Sequence, residues 1–96
     1  MSATARHVFV RGRVQGVAFR WSTQKQAQGL KLVGWVRNLE DGRVEAWIQG
    51  PSGAVDTMLD WLEHGPAMAR VDELETRPAE PEPLDGFEVL PTAATA

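Results

Sequence analysis

Arg20 and the residues leading up to it are the part of this sequence best suited to chemistry. The run Gly12-Arg13-Val14-Gln15-Gly16-Val17-Ala18-Phe19-Arg20 sets two glycines and an arginine where an extended pattern gives way to a helical one. Unpaired N–H groups at a helix start carry partial positive charge, and a looped backbone can curl several of them around one anion. Gly16 lets the chain approach such an anion closely. Arg20, in the opening turn, can lay its planar fork of donors on two phosphate oxygens, which a lysine ammonium cannot match. Two glycines and an arginine also describe an ordinary turn followed by a solvated side chain, so flanking elements must decide.

Before this loop, residues 7–13 alternate as a half-buried strand does, with Val8 and Val10 on one face and His7, Phe9 and Arg11 on the other. After it, Phe19, Thr23, Ala27 and Leu30 recur at helical spacing and predict a helix over about residues 20–30. Residues 32–38 and 43–49 are β-rich, and Asp41-Gly42 between them signals a hairpin. Gly50-Pro51-Ser52-Gly53 breaks the second run, with Ser52 as the expected N-cap of a helix carrying Val55, Met58, Leu59 and Leu62 to a stop at Gly65-Pro66. Residues 69–76 read as a fourth strand, Pro78 to Pro83 as a stiff acidic connection, and residues 87–90 as a last short strand. The order β-α-β-β-α-β predicts an α+β, ferredoxin-like sandwich with two helices on one face of an antiparallel sheet. A single domain is expected over residues 1–96, its ordered core about 6–90 and its tail 91–96 frayed.

Ninety-six residues with 43% hydrophobic content suffice for one modest core. With no cysteine, disulfides and thiolate metal sites are excluded, and a reducing, cytoplasmic location is the expectation. Neither a signal-peptide pattern nor an apolar run near the ~20 residues of a membrane span is visible. The net charge of −3 argues against nonspecific nucleic-acid binding, and neither a nucleic-acid nor a membrane partner is expected. Charge is unevenly distributed: Arg6, Arg11, Arg13 and Arg20 stand in the first twenty residues without an acid, while residues 72–88 hold seven acids and only Arg77. An anion site near the N-terminal end follows.

The run Val14-Gln15-Gly16-Val17-Ala18-Phe19-Arg20 resembles the acylphosphatase signature, whose fifth position varies. Gly34-Trp35-Val36-Arg37-Asn38 resembles the Gly-Trp-Val-x-Asn run that ends the strand after the first helix in the same family. The hairpin Asp41-Gly42-Arg43-Val44-Glu45, the Gly50-Pro51 break, Trp61-Leu62 and Gly65-Pro66 extend the likeness over residues ~6–90. The resemblance implies a metal-independent hydrolase that needs no cofactor and cleaves the carboxyl-phosphate anhydride of acyl phosphates to carboxylate and inorganic phosphate. It further implies that Arg20 and the backbone of Gln15, Gly16, Val17, Ala18 and Phe19 bind the phosphate and that Asn38 positions the attacking water. Larger maturation enzymes carry similar domains, but the zinc-finger and nucleotide-binding segments expected there are absent, so a free-standing enzyme is expected, with a monomer as the default. The alternative is a non-catalytic phosphate- or anion-binding module of the same fold.

These residue types suit the reaction. Asn38 has an amide donor and a carbonyl acceptor with which to hold a water in line with phosphorus. Phosphoryl transfer depends mainly on positioning and charge stabilisation. The leaving carboxylate, with a conjugate-acid pKa of roughly 4, needs no proton from a general acid. His7 and His64 lack a zinc-ligand spacing, and no metal site is expected. The four tryptophans read as packing or half-exposed groups; Phe9 and Trp47 share an outward parity, but the aromatic-basic motif of RNA-recognition modules is missing. One departure from the family concerns the first helix's exit, where Leu30-Lys31-Leu32 replaces Leu-Gly-Leu. Either Lys31 takes the left-handed cap, at a cost on the order of 1 kcal/mol, or the helix ends earlier at Gly29.

Overall fold

The computed structural model describes residues 3–95. Strand β1 (Thr4–Arg13) leads through the glycine-containing loop into helix α1 (Phe19–Gly29). Strands β2 (Val33–Asn38) and β3 (Val44–Gly50) form the hairpin, followed by helix α2 (Ser52–Leu62), strand β4 (Arg70–Ala79) and strand β5 (Phe87–Val89). The strand order in the sheet is β4-β1-β3-β2-β5. Both helices pack on one face, α1 over β2 and β5 and α2 over β1 and β3.

The alternation in β1 has the predicted consequence, since Val8 and Val10 are fully buried while His7 and Phe9 are only half-buried. Val36, Val44, Ala46 and Ile48 continue the apolar layer from the sheet; Phe19, Ala27, Val55, Met58 and Leu62 meet it from the helices. On the open face, His7 lies at ring-centroid distances of 4.7, 6.0 and 5.8 Å from Phe9, Trp35 and Trp47. Phe9 and Trp47, which share the outward parity, thus both pack against the His7 ring.

Several expectations need correction. The sheet is mixed, because β5 runs parallel to β2 whereas every other pairing is antiparallel. The chain leaves β4 at the end of the sheet where β2 begins, and Gln49 holds the connection there. Its Nε2 donates to the Glu82 carbonyl at 2.8 Å, and its Oε1 accepts from the Glu82 N–H at 3.0 Å. A strand that starts from that end must run the same way as β2. Pro78 and Ala79 belong to β4 rather than to the connection, which an edge strand tolerates because its outward amide needs no ladder partner. Pro51, not Ser52, occupies the N-cap of α2, and no side chain caps that end. Over the described part of the tail and the residue before it, Leu90 donates to the Val36 carbonyl, Ala93 donates to the Asn38 carbonyl, and the Ala93 carbonyl accepts from Glu40. Ala96 lies outside the described residues. At the exit of α1 both expected features occur together: the helix ends at Gly29, and Lys31 takes the left-handed conformation at φ 59°.

Candidate active site

The loop between β1 and α1 is anchored by apolar residues at both ends, with Val14 1% and Phe19 2% exposed. Between these anchors Gly16 (φ 74°) and Ala18 (φ 60°) both adopt left-handed backbone. Left-handed residues alternating with ordinary ones turn successive N–H groups toward one concavity. Among the described residues, no amide from Gln15 to Arg20 donates to a backbone carbonyl, and the first helical bond runs from Ser22 to Ala18. The helix start and the loop thus present free donors together. Ala18 takes its conformation without glycine's freedom, a strain of about 1–2 kcal/mol.

Gly16, Ala18, Phe19 and Arg20 line one cavity of about 290 Å³, together with Val14, Trp21 and Val89. Arg20 is half-buried and, among the described residues, enters no ion pair. Gln15 and Val17 are not part of this lining. Val17 packs against the core, while the Gln15 side chain turns toward the hairpin. Its Nε2 donates to the carbonyls of Leu39 at 2.8 Å and Arg43 at 2.9 Å. A side-chain function for Gln15 escapes the sequence, where only its place in an anion-binding loop is legible.

Asn38 ends β2 opposite Val44, and Val10 of β1 faces Val44 from the other side. Directly paired residues share a face, so Val10, Val44 and Asn38 all point toward the helices. Two strand spacings set Val10 and Asn38 roughly 10 Å apart. The loop follows Val10 by a few residues, and Gln15 ties it to Leu39, the neighbour of Asn38. The signature loop and Asn38 therefore lie at the same end of the sheet, although Asn38 does not itself line the cavity. Asn38 is 8% exposed, and its Oδ1 is buried with no protein partner, as is Thr23 Oγ1 on α1. An unpaired buried acceptor costs about 1–3 kcal/mol, so its retention calls for a reason.

The end of β2 is stiffened from the open face. The Arg37 Nε donates to Glu45 Oε1 at 2.7 Å, and His7 Nε2 lies 2.6 Å from Glu45 Oε2. Burial pushes the Glu45 carboxyl up, but hydrogen bonds from Arg37 and His7, with their charges, outweigh it and leave it below the ordinary glutamate value. The Asp41 carboxyl in the hairpin turn is also held low, first by the backbone N–H of Arg43.

The acylphosphatase family model matches residues 6–89. An acylphosphatase from Thermococcus kodakarensis is 47% identical over 90 residues, covering 94% of this chain and 99% of that protein. One from Burkholderia cenocepacia is 62% identical over 68 residues, covering 71% of this chain and 69% of its own. Among solved structures, an acylphosphatase from Coxiella burnetii superposes with a TM-score of 0.89 at 39% identity, covering 92% of this chain and 93% of that one. With the family model spanning most of the chain and the fold shared with these relatives, the chain belongs to the acylphosphatase family and has its hydrolytic function on acyl phosphates.

Proposed function

We propose that Arg20 and the backbone amides of Gln15 through Phe19 grip the phosphate of an acyl phosphate while Asn38 orients the water that attacks phosphorus. The free amides of the loop, gathered by two left-handed residues at a helix start, are the observation that carries this assignment. The place of Asn38 at the end of β2, at the same end of the sheet as the loop, supports its half, since its amide carries both a donor and an acceptor for a water.

The water oxygen bonds to phosphorus as the bond from phosphorus to the acyl oxygen breaks. The electron pair leaves with the carboxylate, a weak base that departs unprotonated near neutral pH. The water's proton passes to a phosphate oxygen, so no protein base is required. Arg20 and the amides offset the charge on the equatorial oxygens, and the apolar floor of Val14 and Phe19 strengthens their effect. The step needs no metal, cofactor or nucleic-acid partner from this chain. No described helix is long and apolar enough to cross a membrane. We infer a cytoplasmic monomer, consistent with the cysteine-free composition.

Hydrolysis in heavy-oxygen water tests where the water attacks. The label is expected in inorganic phosphate; label in the carboxylate would place the attack on the acyl carbon and remove Asn38 from the role given it.

A further inference from the structure

The cavity beside the phosphate loop has a second lining that the phosphate chemistry does not use. Large apolar side chains standing well into solvent include Trp21 at 60%, Val89 at 40% and Met68 at 69% exposure. One such side chain is ordinary on a protein surface. Trp21 and Val89, however, come from different elements and line the same cavity as Gly16, Ala18 and Arg20. Trp21 follows Arg20 in α1, where Lys25 Nζ sits 5.5 Å from the centre of its indole. Val89 stands on β5 beside Val36, which is buried toward the helices, so Val89 points to the same face at the sheet edge.

We propose that Trp21 and Val89 form the acyl subsite, an apolar wall that favours acyl phosphates with a flat aromatic acyl group. The proposal rests on the assignment of Arg20 and the loop amides to the phosphate and of Asn38 to the water. In an in-line displacement the attacking water and the leaving acyl oxygen lie on opposite sides of phosphorus. Asn38 is buried and outside the cavity lining, so the water approaches from the protein side. The acyl group then points outward through the cavity mouth, where Trp21 and Val89 stand. Apart from Arg20, which the phosphate engages, no charged side chain among the described residues lines this cavity. An aromatic acyl group can stack on the indole and cover Val89, whereas an acetyl group is too small to reach both.

The test compares kcat/KM for benzoyl phosphate and acetyl phosphate in the wild type, Trp21→Ala, Trp21→Phe and Val89→Ser, with inhibition by inorganic phosphate measured alongside. Trp21→Ala is expected to lose about tenfold on benzoyl phosphate, equivalent to ~1.4 kcal/mol, and less than about twofold on acetyl phosphate. Val89→Ser should shift in the same direction, and Trp21→Phe should keep most of the preference. Inhibition by phosphate, which has no acyl group, should hold in all three variants and shows that the cradle is folded. Equal losses on both substrates, or no loss on benzoyl phosphate, would overturn the subsite. Failure of the underlying phosphate assignment would look different: Arg20→Ala would leave both activities and phosphate inhibition intact.

Discussion

At the scale of single residues, the sequence exposes groups that the reaction touches and hides the ones that hold them. Gly16 and Arg20 stand out because a flexible loop before a helix start has few other chemical uses. Gln15 does not, since its contribution lies in a contact across 24 and 28 positions of sequence. Its two hydrogen bonds bind the loop to the strand end carrying Asn38. Replacing it with leucine leaves the Leu39 and Arg43 carbonyls with their backbone partners, Gly42 and Leu39 respectively. The expected stability loss in Gln15→Leu is therefore only about 1–2 kcal/mol. Turnover should fall further, roughly 10- to 100-fold, because the loop and Asn38 lose their common anchor. Denaturant midpoints and kcat measured on the same preparation check this; a kcat loss no larger than the stability change implies would reduce Gln15 to a packing residue.

At the scale of elements, periodicity located the strands and helices, while boundaries followed local backbone chemistry. The stripe Phe19, Thr23, Ala27 is buried, as the helical spacing requires. The exit from α1 shows how a departure from the family pattern is accommodated: Lys31 takes the left-handed conformation in place of a glycine. Lys31→Gly should therefore stabilise the protein by about 1 kcal/mol. This corresponds to a rise in Tm of roughly 4–8 °C. Because Lys31 is remote from the cavity lining, kcat should not change. Thermal melts and steady-state assays decide; an unchanged or lowered Tm would mean that the strain at Lys31 is already relieved. The tail could not be read in the same way. Pro91 and the small residues after it have no periodicity, and it is the Asn38 carbonyl and the Glu40 N–H that give Ala93 a place to dock.

At the scale of the whole molecule, the βαββαβ order implied the layer of helices and the common direction of β1 and β2, whose ends bring the loop near Asn38. It did not reveal the parallel fifth strand, because the crossing from β4 depends on Gln49 binding the Glu82 backbone. Nor did it reveal the buried carboxylate at the centre of the open face, since Glu45 alternates like any strand acid. Glu45 has a folded-state pKa below its unfolded value. Its contribution to stability is therefore full above the unfolded value of ~4.3 and is lost as pH falls through the lower folded value. In denaturant unfolding as a function of pH, the wild type should lose stability across that acid window. Glu45→Gln should be less stable than the wild type near neutral pH, with the difference shrinking in acid. A difference constant from neutral to acid pH would show that the carboxylate's charge is not what Arg37 and His7 stabilise.

The proposed division of labour between loop, Arg20 and Asn38 is tested most directly by one assay. Hydrolysis of an aromatic acyl phosphate is followed with EDTA present in the wild type, Arg20→Ala and Asn38→Ala, with folding of each verified. We predict metal-free turnover in the wild type and a loss of about 100-fold or more in either variant, as expected when a charge-stabilising or water-positioning group is removed. A folded Arg20→Ala or Asn38→Ala enzyme that keeps wild-type turnover, or a wild type that stops when metal is chelated, would contradict it.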